Sequence, residues 1–223
     1  MNPIELVIFD LDGTLIDSQR DLVLSVNATR GHMGLPPLDD GRIASYVGNG
    51  APVLIRRALG EEVSQQDVDL ALQYFLGYYR EHMLDNTRLY PGVAETLERL
   101  AGAQIHMAVL TNKPVRFSQD LVNGLGVGAH FQRVYGGNSF AEKKPHPMGV
   151  RTLLSELSVD AANALMVGDS SVDIRTARNA GILSCGVTFG FQPESFAEYP
   201  PDFLVDRMET VADMVLTAHG ETH

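Results

Sequence analysis

The chain has 223 residues, 44% of them hydrophobic and 20% charged, which is enough for one large or two modest domains with a proper core. Asp and Glu number 28 against 17 Lys and Arg, and the formal charge of -11 argues against nucleic acid or an anionic membrane as the main partner. No apolar run approaches the length of a bilayer span, and no basic segment followed by an apolar stretch opens the chain, so a cytoplasmic location is expected.

The first element is the apolar run Ile4-Glu5-Leu6-Val7-Ile8-Phe9, which continues into Asp10-Leu11-Asp12-Gly13-Thr14-Leu15. Its length and composition predict a strand at the centre of a parallel sheet, with carboxylates at the end of a rigid element. Asp-x-Asp-Gly is also an ordinary turn after a strand.

Residues 17–87 contain no convincing strand. Val68, Leu72, Phe75, Leu76, Tyr79 and Met83 recur at helical spacing and read as one packing face. The segment is predicted to be a small helical domain inserted after the first strand, with Pro91-Gly92 marking the return to the sheet. Residues 1–16 and 88–223 then form the other domain.

Beyond residue 88, short apolar runs alternate with amphipathic patterns. Strands are predicted at 105–111, 133–136, 164–168, 183–187 and 203–205. Val93, Leu97, Leu100 and Ala101 form a helical stripe, as do Met208, Val211, Ala212 and Val215. This alternation predicts an α/β fold, a mostly parallel sheet with helices on both faces and right-handed crossovers. Gly124, Gly126 and Gly128 lack a preceding strand and read as helix termination, not as a dinucleotide loop. The single cysteine, Cys185, excludes an intrachain disulfide and reads as a small buried strand residue.

Chemistry-bearing residues fall where the strands end. Thr111-Asn112-Lys113 precedes Pro114 at an expected first helical position, and a hydroxyl, an amide and helix-start N–H groups together can hold phosphate oxygens. The same residues also make a plain N-cap. Glu142-Lys143-Lys144-Pro145-His146-Pro147 is a stiff loop with two cations, and Gly168-Asp169-Ser170-Ser171-Val172-Asp173 sets one carboxylate at a strand end and another one turn into a helix. Ligands of open parallel sheets bind beyond the carboxyl ends of the strands, so Asp10, Asp12, Thr111, Lys144 and Asp169 are expected to share one crevice. Clustered carboxylates must protonate or capture a cation, and an all-oxygen set without cysteine or histidine points to Mg2+. A metal, a lysine and oxyanion donors suit phosphoryl transfer.

With these four segments in order, the chain resembles the haloacid dehalogenase-like hydrolases. Asp10-Leu-Asp12-Gly-Thr14 is similar to their first motif, Thr111-Asn112 to the second, Lys144 to the third and Gly168-Asp169-Ser-Ser-Val-Asp173 to the fourth. The resemblance implies a Rossmann-like core with an inserted all-helical cap. Within the family the likeness is to the bacterial phosphoglycolate phosphatases, through Tyr46-Val-Gly-Asn-Gly50, Thr111-Asn-Lys-Pro114, Gly136-Gly-Asn-Ser139 and Lys143-Lys-Pro-His-Pro147. Asn138 stands where such proteins often have Asp.

The resemblance implies Asp10 as nucleophile and Asp12 as acid–base, with Mg2+ on Asp10, Asp169 and the Asp12 carbonyl. It further implies that Thr111, Asn112 and Lys144 bind the phosphoryl group, with Asp173 supporting them. Gly48, Asn49 and Gly50 are expected to form the cap loop that meets the crevice. The expected partner is a small phosphorylated substrate, 2-phosphoglycolate foremost, with no nucleic acid and no membrane, acting as monomer or homodimer. Rival readings are phosphatases of sugar phosphates, nucleotides or pyrophosphate, a β-phosphoglucomutase-like isomerase, and a catalytically silent binding module.

Overall fold

The structure is a computed structural model that describes residues 2–60 and 62–220. In chain order its elements are β1 (Leu6–Phe9), β2 (Ile16–Asp17), α1 (Gln19–His32), α2 (Asp40–Ala44), α3 (Ala51–Leu59), α4 (Gln65–His82), β3 (Arg88–Leu89), α5 (Val93–Gly102), β4 (His106–Leu110), α6 (Val115–Gly124), β5 (Arg133–Tyr135), α7 (Met148–Leu157), β6 (Ala164–Gly168), α8 (Ser171–Ala180), β7 (Leu183–Val187), β8 (Phe203–Val205) and α9 (Met208–Gly220).

The main sheet runs β5-β4-β1-β6-β7-β8, and every neighbouring pair in it is parallel. Its central strands, β1 and β6, read as continuous apolar runs because both faces are covered. Val7, Phe9, Val109 and Val167 pack on one face with Val93, Leu97 and Leu100 of α5 and Val211 and Val215 of α9. Leu6, Ile8, Ala108 and Met166 face the other way, onto Val150 and Leu153 of α7 and Ala177 of α8. Each Val, Leu, Ile, Phe or Met side chain among them contributes about 1.5–3 kcal/mol when fully buried.

Topology fixes where a ligand can sit. The chain leaves β1 for β4 and β5, then crosses to β6 on the opposite flank of β1. Phe9 is in register with both Val109 and Val167, so Asp10, Thr111 and Asp169 emerge side by side at the carboxyl edge. That edge is the switch point where parallel sheets bind ligands.

Between β2 and β3 the chain makes the four helices α1–α4, bracketed by a ribbon that the periodicity reading did not anticipate. β2 pairs antiparallel with β3, Ile16 against Leu89 and Asp17 against Arg88. Two residues per strand are too few to show an alternating pattern. Asp21, in the first turn of α1, locks this base. Its carboxylate is buried and accepts from the N–H of Asn86 (2.9 Å), Asn86 Nδ2 (2.8 Å), and the N–H and Oγ1 of Thr87 (both 2.8 Å). Burial works to raise the Asp21 pKa, but these donors outweigh it and hold the carboxyl below its usual range.

Three expectations shift slightly. The first strand covers only Leu6–Phe9, and β4 and β5 are trimmed to 106–110 and 133–135. Pro114 is the residue before α6 and not its first helical position, with an extended ψ of 135°. Among the described residues no helix is long and apolar enough to cross a membrane.

Candidate active site

Asp10 follows β1 directly; its Oδ1 accepts from the Leu11 N–H at 2.7 Å and forms an ion pair with Lys144 Nζ at 2.9 Å. Lys144 also reaches Asp173 Oδ1 at 2.6 Å, so one buried ammonium bridges two carboxylates. It comes from the loop after β5, whose Lys144–Pro145 peptide is cis. Asp173 lies in the first turn of α8, where its neighbours hold both of its oxygens. Its Oδ2 accepts from the backbone N–H and hydroxyl of Ser170 at 3.2 and 2.9 Å. Asp169 Oδ2 takes the Phe191 N–H at 2.6 Å.

Ligand oxygens of Asp10, Asp169 and Asp173 lie within 4.8 Å of one another. Among the described residues no donor reaches Asp10 Oδ2 or Asp169 Oδ1. With Asp12 included, four carboxylates face two ammoniums, Lys113 and Lys144, a formal excess of two negative charges. Burial, reinforced by Asp173, pushes Asp10 up to about 6 against the pull of Lys144. Asp169 is raised well above its ordinary value, by burial first and then by Asp173 and Asp10. Two free hard-oxygen donors, a double negative excess and an environment that resists it fit a divalent cation.

Gly13 keeps this cluster open. Its φ is +79°, and a Cβ there would fall 2.1 Å from Asp169 Oδ2. Only glycine permits both the left-handed turn and that approach.

Asp12 stands apart from the acidic cluster. Its Oδ1 accepts from Ser18 Oγ at 2.5 Å, and both oxygens accept from Lys113 Nζ, at 3.0 and 2.9 Å. Lys113 is buried, and its ammonium also lies 4.5 Å from the ring centre of Tyr79 on α4. Burial alone would lower the Lys113 pKa, but Asp12 and Tyr79 outweigh it and raise the value. Thr111 Oγ1 accepts from the Lys113 N–H at 3.3 Å, which leaves its own proton free to donate. Asn112 Nδ2 bonds the carbonyls of Gly48 (2.9 Å) and Lys144 (3.0 Å), so its side chain joins the loop after α2 to the core.

That loop is the second wall of the site. Gly48 and Gly50 line a cavity of about 50 Å³, a few waters' worth, together with Asp10, Asp12, Thr111, Asn112, Lys113 and Asp169. Asn49 presents its carbonyl to Lys143 Nζ at 2.6 Å. Gln192, after β7, donates to the Val47 carbonyl at 2.8 Å. The rest of this wall is apolar, from Leu22, Leu54, Phe75 and Tyr79. Phe75 and Tyr79 thus pack as expected and also face the cavity. An adjoining groove carries Arg80, Arg116 and Lys143, cations gathered at the site of a chain that is acidic overall.

Sequence reasoning passed over Lys113, Ser18, Phe191 and Gln192. Lys113 had a local signal, since it directly follows Thr111-Asn112 at a strand end. Phe191 and Gln192 had none, being placed by a loop whose course only the tertiary structure defines.

A model of the haloacid dehalogenase-like hydrolases matches residues 7–187. The chain belongs to this family. Among its relatives in the haloacid dehalogenase-like hydrolase family is a phosphoglycolate phosphatase of Vibrio vulnificus, 38% identical over 96% of this chain and 97% of its own length. A phosphoglycolate phosphatase of Vibrio cholerae is 39% identical over 98% of this chain and 100% of its own. A crystal structure titled as a predicted phosphoglycolate phosphatase from Haemophilus somnus superposes with a TM-score of 0.92 at 34% identity, covering 96% of this chain and 99% of that one.

Proposed function

We propose that the protein is a Mg2+-dependent phosphatase of a small phosphomonoester, 2-phosphoglycolate, which it converts to glycolate and phosphate. In this reading residues 1–16 and 88–223 form the catalytic core and residues 17–87 a cap over it. The observation that carries the reading is the pair of donor-free oxygens on Asp10 and Asp169 beside the Lys144 bridge, in the cavity that the Gly48–Gly50 loop also lines. The names of the Vibrio relatives support the choice of substrate.

The Asp10 carboxylate attacks phosphorus, the bond from phosphorus to the alcohol oxygen breaks, and Asp12 gives that oxygen a proton. Water then attacks the aspartyl phosphate and loses its proton to Asp12, phosphate leaves, and Asp10 is restored. Lys144, fixed by Asp173, sets positive charge beside the phosphoryl oxygens, and Thr111 Oγ1–H and the Asn112 N–H orient them. Asp10, Asp169 and the Asp12 carbonyl would hold Mg2+, which would supply further positive charge against the phosphoryl oxygens. The cap, with its apolar wall, keeps out water beyond the one that reacts.

Phosphate release should be measured with Mg2+ over 2-phosphoglycolate, sugar phosphates, nucleoside monophosphates and pyrophosphate. The expected result is a kcat/KM for 2-phosphoglycolate far above the rest, abolished in Asp10→Asn with the fold intact. Full turnover by that variant overturns the mechanism, and a peak elsewhere in the panel overturns the substrate.

A further inference from the structure

A substrate with a phosphate and a carboxylate needs two cationic receptors. Lys144 is committed to the phosphate end through Asp10 and Asp173. Among the described residues the cavity wall holds one cationic side chain, Lys113, and no arginine. Arg42 and Arg56, nearby in the chain, turn elsewhere: Arg42 donates to the Tyr46 hydroxyl, and Arg56 to the Val63 carbonyl and Gln65.

Lys113 is also placed where a carboxylate would arrive. Its ammonium touches both oxygens of Asp12, the residue that serves the leaving oxygen. In a two-carbon ester the carboxyl carbon is two bonds from that oxygen, so it must lie in the neighbourhood of Asp12. An ammonium has three N–H donors, and Asp12 retains Ser18 Oγ as a partner when Lys113 shares itself with another anion.

A second group points the same way. Tyr79 is buried on the cavity wall, and among the described residues its hydroxyl has no hydrogen-bond partner. Leaving a hydroxyl unpaired in the interior costs about 1–3 kcal/mol, a cost that an incoming acceptor removes. The ring of the same tyrosine lies against the Lys113 ammonium.

We infer that Lys113 Nζ and the Tyr79 hydroxyl form the subsite for the substrate carboxylate, an inference that rests on the phosphatase reading above. Lys113 comes from the strand-end loop and Tyr79 from α4, so a carboxylate bound between them would tie cap to core. An anionic tail is thereby selected over a neutral one.

The test compares kcat/KM for 2-phosphoglycolate with that for ethyl phosphate, which replaces the carboxylate by a methyl group. The wild-type protein should prefer 2-phosphoglycolate. Lys113→Met should cut that preference by about a hundredfold, chiefly through KM, as expected when one partner of a buried charge pair is removed. Lys113→Arg should restore part of it, and Tyr79→Phe should reduce it by about tenfold.

Equal losses on both esters in Lys113→Met overturn the subsite and make Lys113 a positioning group for Asp12 alone. If Lys113→Met does not fold, Tyr79→Phe decides, and an unchanged preference there overturns the inference. A wild-type protein that hydrolyses both esters equally overturns the substrate reading together with the subsite. A wild-type preference that both variants retain overturns the subsite only.

Discussion

The two walls of the cavity are held by different forces. On the core side Asp10, Thr111 and Asp169 follow three adjacent strands whose ladder fixes their spacing before any side chain is considered. On the side of the proposed cap the loop from Val47 to Gly50 meets the proposed core through its own carbonyls, which accept from Gln192, Asn112 and Lys143. A ladder breaks only with the sheet, whereas three side-chain hydrogen bonds each contribute about 0.5–1.5 kcal/mol and can be released one at a time. The core wall is therefore suited to invariant chemistry, and the cap wall to admitting and selecting a substrate.

The largest expected effect tests the core wall. Asp169→Asn keeps the shape of the cluster but removes one of its two donor-free charged oxygens. Turnover should fall by about a thousandfold or more, the scale of losing an electrostatic centre in an active site. Thermal unfolding gives a second reading. Mg2+ at about a hundred times its Kd should stabilise the wild-type protein by about 2.7 kcal/mol, a rise of about 5–10 °C in Tm over EDTA. The shift should vanish in Asp169→Asn, and a variant that keeps it places the cation elsewhere.

Next in size is the base of the cap. Asp21 has donors on both oxygens, all from Asn86 and Thr87, where the chain returns to the core. Asp21→Ala leaves several buried donors unpaired and should cost about 3 kcal/mol in urea denaturation. The pH dependence has a definite sign. The folded carboxyl titrates below its ordinary 3.8, so on acidification the unfolded chain binds a proton first. Its stabilisation is complete above that value and is lost as pH falls through the lower folded pKa. Asp21→Asn should flatten this acid limb; an unchanged limb would assign acid lability to other carboxylates.

The same contrast explains what could be read from the sequence. The parallel sheet was legible because its central strands, β1 and β6, are buried throughout and are uninterrupted apolar runs. Asp10, Asp12, Thr111, Lys144 and Asp169 were legible as chemistry because strand ends are predictable and parallel strands bring their ends together. Lys143 and Lys144 are neighbours with similar surroundings in sequence, yet one is buried on two aspartates and the other reaches Asn49. No local pattern distinguishes the two; the crevice reading named Lys144, and the resemblance gave it a role. The ribbon of β2 and β3 was too short to show a period, and Gln192 depends on a loop that no local pattern describes.

The smallest effect is the one most specific to the cap wall. Gln192 is a core residue, outside the acidic cluster, whose Nε2 lies 2.8 Å from the Val47 carbonyl and 3.4 Å from that of Ser45. Gln192→Ala removes these bonds from a loop that Gly50 already holds close to the core: with φ at +87°, a Cβ on Gly50 would stand 3.2 Å from the Asn112 carbonyl. The loss of about 1 kcal/mol favours the released loop and should lower kcat/KM by about fivefold. Lys143→Ala, which frees the Asn49 carbonyl, should act in the same direction. Because both variants release one loop, their effects should be coupled, and the double variant should lose less than the product of the two. Strict multiplication in a double-mutant cycle would mean that the loop has no common closed state, and that the cap wall is as rigid as the strand ends it faces.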